Sequence, residues 1–432
     1  KKKMKKEYEK TNKQYQKAIK TIPLATQTTS KSAANFVKGA YPLFLEKGKG
    51  GEVWDIDGNK YVDYILGLLP IVLGYQDNEV DKAIKNQLKK GISFSLATTL
   101  ETTLSELLTK LIPSAEMVRF AKTGSDVTTA SIRLARAYTG RDKIALCGYH
   151  GWHDWCIGTT EHSIGIPKSI KRLSTAFAFN NLDELEKMLK KEPTSYAAVI
   201  IEPESKEKPE KKFLEGARRL TKKFGTLLIF DEIVTGFRVN IGGAQAKYRV
   251  TPDLSCFGKS MGNGMPISAL VGKAKIMKLV GKAFFSGTFN GEALSLAAAI
   301  ATIKKLRKKN GIERIQRVGC SLKKSIKKII DRNKIDDYIT IGGPDWRPCI
   351  IIKKNKLESR IVQSLLRQQL AKNGLLFGSA FNLCLSHDSK EILHKTNKIW
   401  EKTADELNKI FHSKNPKSFL QGVPMTPIFT QR

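Results

Sequence analysis

The chain has 432 residues, 41% of them hydrophobic, and a formal net charge of +34. Such a chain can bury a sizeable core, so one large domain with a smaller companion is expected. Apolar runs such as "AAVII" and "TLLIF" fall well short of the roughly 18 residues that span a bilayer, so no membrane partner and a cytoplasmic location are expected. The basic excess is spread over the whole chain as lysine pairs. It forms no stripe interleaved with aromatics, which points to a solvated surface and not to nucleic acid. Attraction of anionic substrates stays open. The six cysteines, at 147, 156, 256, 320, 349 and 384, form no C-x-x-C pair, so reduced thiols are expected, with neither zinc nor disulfides.

In chain order, "KKKMKKEYEKTNKQYQKAIK" reads as a basic helical arm, because it lacks the apolar stretch of a signal peptide. Residues 41–64 read as short strands joined by turns at "KGKGG" and "DGN". Residues 78–90 and 100–112 read as amphipathic helices. From about 117 the pattern alternates. "MVRFAK", "DKIALC", "YAAVIIEPE", "TLLIFDE", "DLSCF" and "ISALVGK" are strands. "SDVTTASIRLARAYTG", stopped by Gly140, and "KKFLEGARRLTKKFG" are helices. This predicts an α/β fold with a mostly parallel sheet covered on both faces, whose site lies at the carboxyl ends of its strands. Beyond 295 come helices at "SLAAAIATIKKLRKK" and "LKKSIKKIIDR", apolar runs at "RPCIIIKK" and "NLCLS", and a closing helix near 389–411. The expected division is residues 1–64 as arm and strands of a small α+β domain, 65–305 as the large α/β domain, and 306–432 as the rest of the small domain.

Four stretches carry chemistry. In "FAKTGSDVTTASIRLAR" a strand gives way to a helix through Thr123, Gly124, Ser125 and Asp126. Amides at such a helix start suit a phosphate, although an ordinary capped helix would look the same. In "LLIFDEIVTGFR", Asp231 and Glu232 stand at a buried strand end, where a carboxylate needs a cation or donors. A protonated ring nitrogen or a structural ion pair would serve. In "CFGKSMGNGMP", Lys259 lies among small residues, where desolvation would free its amine as a nucleophile and proton carrier. In "CGYHGWHDW", the rings of Tyr149, His150, Trp152, His153 and Trp155 crowd beyond a strand end and offer a stacking face. His150 and His153 have no third ligand nearby, so no metal is expected. Phosphate, flat ring, basic ring nitrogen and an aldehyde for an amine together describe pyridoxal 5′-phosphate (PLP).

The stretch "LIFDEIVTGFRVNIGGAQAKYRVTPDLSCFGKSMGNGMPISALVGK" resembles the class III, fold type I, PLP-dependent aminotransferases, and among them the glutamate-1-semialdehyde 2,1-aminomutase branch. "DGNKYVDYILGLLPIVLGY", "IRLARAYTGRDKIALCGYHGWHD", "VIIEPE" and "SGTFNGEALSLAAAIATI" carry the same resemblance, from about residue 22 to 310 and more weakly to about 410. It implies transfer of an amino group from a small amino donor to a carbonyl acceptor, through a lysine aldimine and pyridoxamine phosphate. Lys259 would form the aldimine and shuttle protons, and Asp231 would hold the pyridinium N–H. Gly124 and Ser125 would bind the phosphate. Tyr149 would cover the ring, with His150 close by and Val234 on the opposite face. Glu202 would be an active-site carboxylate near the cofactor. Thr288 would reach the phosphate of a neighbouring subunit in a homodimer.

Departures from the pattern fall mostly on the substrate side. The family's Ser-Gly-Thr-Glu turn is Thr-Gly-Ser-Asp here, and its Gly-Gly-Gly run after the lysine is "GNGMP". "GLLP" at 67–70 stands where the aminomutase carries a serine-tryptophan pair. "GSAFNLCLSHD" at 378–388 lacks that enzyme's glutamate, and the gating segment after 157 is altered. An aminotransferase with another acceptor is therefore expected. The aminomutase is the alternative, and a basic non-enzymatic binding protein on the same fold is the remote one.

Overall fold

The computed structural model describes residues 8–426 apart from 211 and 356. The chain forms two units. One comprises the chain up to Leu68, residues 73–76 and everything from Glu313 on; the other comprises residues 69–72 and 77–312.

In the terminal unit the arm is a helix, Glu9–Ala18. The amides of Lys10 and Thr11 and the Thr11 hydroxyl donate to the Asp57 carboxylate, which caps the helix start from a turn distant in sequence. Strands β1 (Leu45–Lys49), β2 (Glu52–Asp55) and β3 (Lys60–Asp63) form an antiparallel meander. Its turns use Gly50 and Gly58 at φ 58° and 85°, conformations that glycine adopts without strain.

The internal unit holds a seven-stranded sheet built from β4 (Met117–Ala121), β5 (Lys143–Cys147), β6 (Ser174–Ala176), β7 (Tyr196–Ile201), β8 (Leu227–Asp231), β9 (Leu254–Phe257) and β10 (Ser268–Gly272). Their spatial order is β4-β10-β9-β8-β7-β5-β6. Strands β5 to β9 run parallel to one another, whereas β10 is antiparallel to both β9 and β4. Every residue of β7 and β8 is buried, as continuous apolar runs require when both faces are covered. Leu134, Ile144, Ile200 and Leu270 belong to one apolar layer, and Leu185, Val199, Phe213 and Leu228 to the other. Each such side chain contributes about 1.5–3 kcal/mol by leaving water.

The remaining strands return to the terminal unit. Strands β11 (Ile339–Gly342) and β12 (Cys349–Ile352) pair with each other, and β13 (Leu375–Leu376) adds in parallel to β3. The "NLCLS" run forms no strand. It leads instead into a short 3₁₀ turn, Leu385–His387, before the closing helix Lys390–Phe411.

Candidate active site

Five strand ends of the internal unit, those of β4, β5, β7, β8 and β9, supply the site. Beyond β4, Thr123 caps the helix Gly124–Thr139. Its hydroxyl accepts from the Asp126 amide at 3.2 Å, and the Asp126 carboxylate accepts from the Thr123 amide at 2.7 Å. This capping box leaves the amides of Gly124 and Ser125, at the first two helical positions, without a protein acceptor among the described residues. Gly124 packs closely on Ile233, where an added Cβ would stand 2.9 Å from Cδ1.

Beyond β5, Gly148 and Gly151 adopt φ 111° and 114° and bracket Tyr149 and His150. At Gly151 a Cβ would fall 2.3 Å from Ser125 Oγ, so only glycine lets this loop lie against the helix start. The Trp152 amide donates to that same Oγ at 3.3 Å. Thr128 Oγ1 donates to the His150 carbonyl at 2.7 Å, fixing the loop. Trp155 stacks on His150, and its Nε1–H donates to Thr129, which also bonds His153 Nδ1. The aromatic cluster is thus mostly scaffold, and Tyr149 is the partly exposed ring that faces the cavity. Burial raises the Tyr149 phenol above its ordinary pKa, so it stays protonated at neutral pH.

At the end of β8, Asp231 is 4% exposed and His150 is 2% exposed. His150 Nδ1 lies 2.8 Å from Asp231 Oδ2; facing a carboxylate, that nitrogen carries the proton and donates. Asp231 Oδ1 accepts from the Ile233 amide at 3.1 Å. The far nitrogen of His150, Nε2, is buried without a hydrogen-bond partner among the described residues. β8 pairs with β9 so that Asp231 stands opposite Cys256, and Lys259 follows just past the end of β9, half-buried at the start of a 3₁₀ turn, Lys259–Gly262. Glu232, by contrast, turns into the protein. It accepts from Thr235 Oγ1 at 2.5 Å, the Ala244 amide at 2.7 Å and the Gln245 amide at 2.9 Å.

Gly124, Ser125, Tyr149, His150, Glu202, Asp231, Val234 and Lys259 line one cavity of about 330 Å³. Thr288 does not. It is exposed and borders a second cavity of about 330 Å³ with Asp126, Arg133 and His153. Lys122, which sequence reasoning missed, lines the first cavity too. So does Pro70 of the "GLLP" stretch, at the end of a run in which Leu66, Gly67, Leu68 and Leu69 all have positive φ. The buried Arg238 guanidinium and the Ser260 hydroxyl both donate to the Leu69 carbonyl and hold that wall in place. The only sequence signal for Lys122 is its adjacency to the Thr-Gly-Ser turn, which is lost among 75 lysines and arginines.

These residues fit PLP. The cavity combines two free amides at a helix start, a buried carboxylate held by a donor histidine, a ring on one wall and an amine. A buried aspartate in contact with the cavity is costly unless a cationic or donor group meets it there, which a pyridinium N–H does.

Residues 34–342 match the family described as Aminotransferase class-III. The 3-aminobutyryl-CoA aminotransferase of Cloacimonas acidaminovorans is 39% identical over 385 residues, covering 86% of this chain and 91% of that protein. A glutamate-1-semialdehyde 2,1-aminomutase of Natranaerobius thermophilus is 37% identical over 70% of this chain and 74% of its own length. Among solved structures, FumI of Sphingopyxis sp. MTA144, in its PLP internal aldimine form, superposes with a TM-score of 0.88 at 26% identity, covering 95% of this chain and 99% of that one. The matched residues span the whole cavity and all seven strands of its sheet, and on these grounds the chain belongs to the class III aminotransferases.

Proposed function

We propose that this PLP-dependent aminotransferase takes its amino group from a β-amino acyl thioester of the 3-aminobutyryl-CoA type and passes it to a keto acid. The observation that carries the enzymatic reading is the meeting of Lys259, the Asp231–His150 pair and the amides of Gly124 and Ser125 around one cavity. When bound, PLP supplies an electron sink for the carbon that bears the substrate amine.

The protein does the rest. Gly124 and Ser125 bind the phosphate by their amides. Tyr149 and Val234 hold the two faces of the ring. Asp231 keeps a proton on the ring nitrogen, and His150 fixes the carboxylate by donating to its other side. Lys259 would hold the cofactor covalently through its Nζ, and the same amine, when free, would serve as the base that moves the proton of the amine-bearing carbon. Glu202 Oε1 accepts from the Tyr149 amide and places a carboxylate at the cavity wall to meet an ammonium.

Two observations support a thioester. The relative named for such a substrate matches over more of its length than the aminomutase does. The net charge of +34 favours the approach of a polyanion such as coenzyme A. A homodimer belongs to the same reading. Exposed Ile92, Phe94, Leu96, Phe284 and Phe289 offer an apolar surface for a second copy, with Thr288 beside them reaching the partner's phosphate.

The test is to follow acetoacetyl-CoA formation from 3-aminobutyryl-CoA and 2-oxoglutarate, with free 3-aminobutyrate and glutamate 1-semialdehyde in parallel. Turnover of the thioester at least about tenfold above the free acid in kcat/KM is expected. Conversion of glutamate 1-semialdehyde without a second substrate would show the aminomutase instead. Sedimentation of the holoenzyme as a monomer would remove the dimer.

A further inference from the structure

A phosphate monoester brings up to two negative charges, and two helix-start amides answer them with partial charge only. The cationic side chains on the cavity wall, among the described residues, are Lys122 and Lys259; His150 is turned to Asp231. In the reading above Lys259 is committed to the aldehyde carbon. Lys122 is left, and it directly precedes the Thr123-Gly124-Ser125 turn.

The surroundings of Lys122 are built. Its Nζ lies 2.9 Å from Glu292 Oε2, and the two side chains are only 18% and 12% exposed. Glu292 is itself fixed, because it caps the helix Ala293–Lys308. It accepts from the Leu294 amide at 2.6 Å, from the Ser295 amide at 3.3 Å and from the Ser295 hydroxyl at 2.6 Å. Burial works to raise the Glu292 carboxyl, but the Ser295 hydroxyl and the Lys122 ammonium outweigh it and hold it below its ordinary pKa, so it is a carboxylate at neutral pH. An anchored anion thus holds the ammonium of a residue that lines both this cavity and the second one, beside Thr288. A free surface lysine would give up side-chain rotamer entropy to stand there.

We propose that Lys122 is the counter-ion of the cofactor phosphate, held in position by Glu292. The proposal rests on the reading of Gly124 and Ser125 as the phosphate cradle. It gives the Thr123-Gly124-Ser125 turn a neighbouring ammonium donor from this chain itself.

The experiment compares PLP with pyridoxal, which lacks the phosphate, by titrating apoenzyme and following the absorbance of the lysine adduct. Lys122→Met weakens PLP roughly tenfold or more and pyridoxal less than about twofold, the loss expected for one charge-assisted contact. Lys122→Arg restores most of the PLP affinity. Glu292→Gln, which keeps the ammonium but loosens its anchor, gives a smaller fall in the PLP-to-pyridoxal ratio. Equal weakening of both ligands, or no change in either, overturns the proposal. Acetic anhydride labelling of the wild-type apoenzyme provides a check that needs no variant. Inorganic phosphate protects Lys122 if it is the counter-ion, and absence of protection counts against it. Should wild-type protein bind neither PLP nor pyridoxal, the functional reading itself falls; should PLP bind with an unaltered ratio in Lys122→Met, only the counter-ion falls.

Discussion

Asp231 and Glu232 are chain neighbours, both buried at the end of β8, and they lead opposite lives. The Glu232 carboxylate is surrounded by protein donors from Thr235, Ala244 and Gln245 and caps the short helix Gly243–Tyr248. The Asp231 carboxylate has one side-chain donor, His150, and one loop amide, and it opens on the cavity. A saturated buried carboxylate is a structural part, whereas one that stays under-satisfied and faces a cavity is reserved for a ligand. The same contrast separates two helix starts. Glu292 satisfies the helix that follows it, while Thr123 and Asp126 cap the helix Gly124–Thr139 and still leave two amides open.

Substitution should split these pairs cleanly. Asp231→Ala is expected to lower kcat/KM on the order of 10³-fold, with a smaller fall in melting temperature than at Glu232, since it removes a charge that acts on the reacting system and strands only the His150 and Ile233 donors. Steady-state kinetics and calorimetry on one preparation check both halves. Glu232→Ala should do the reverse. It strands several buried donors, costs roughly 3 kcal/mol, and lowers the melting temperature by about 6–12 °C, while protein kept cold retains most of its activity. Equal losses of activity in both variants would erase the distinction. Gly151→Ala sharpens the comparison at the helix start. The new Cβ would meet Ser125 Oγ, at a φ of 114° that alanine resists, so PLP affinity should fall roughly tenfold by fluorescence titration, with a modest fall in melting temperature from the strained loop.

The smallest effect concerns a third carboxylate, one that is structural and fully paired. Asp253 sits between Arg218 at 2.8 Å, Lys273 at 2.5 Å and the Leu228 amide at 2.9 Å. Burial works to raise its pKa, but Lys273, the Leu228 amide and Arg218 outweigh burial and hold it below the ordinary value. Its stabilisation is therefore complete above the unfolded-state pKa near about 3.9 and is lost as pH falls through the lower folded-state value. Melting temperatures measured from about pH 2 to pH 6 should show a steeper acid-side decline for wild type than for Asp253→Asn. Parallel curves would remove Asp253 from the acid response.

Much of this was legible in the residues. The buried runs that became β7 and β8, the glycine stops after two helices, and Asp231 and Lys259 at adjacent strand ends all follow from periodicity and the cost of burying charge. Other features were hidden for physical reasons. An antiparallel strand and a parallel one have the same composition when both faces are covered, so the direction of β10 could not be read. In the left-handed run only Gly67 announces such geometry, and Leu66, Leu68 and Leu69 give no such sign; Arg238, remote in sequence, holds it through the Leu69 carbonyl. The His150–Asp231 bond joins residues 81 positions apart, and no local pattern encodes such a meeting. In "GFR" and "AKTG" the chemistry of Arg238 and Lys122 lay in plain view, yet only tertiary neighbours separate a positioned cation from decoration.

The parallel pairing of β13 with β3, Leu375 against Val62, has a consequence in time. On the ribosome, the first three strands are made long before their fourth partner, and at about 5–20 residues per second the interval is roughly 15–60 s. The sheet that carries the cofactor cavity lies wholly within that interval and can finish first. During the wait the early meander presents an open edge at β3, and nascent chains of this protein should be most vulnerable to proteases and to mispairing there.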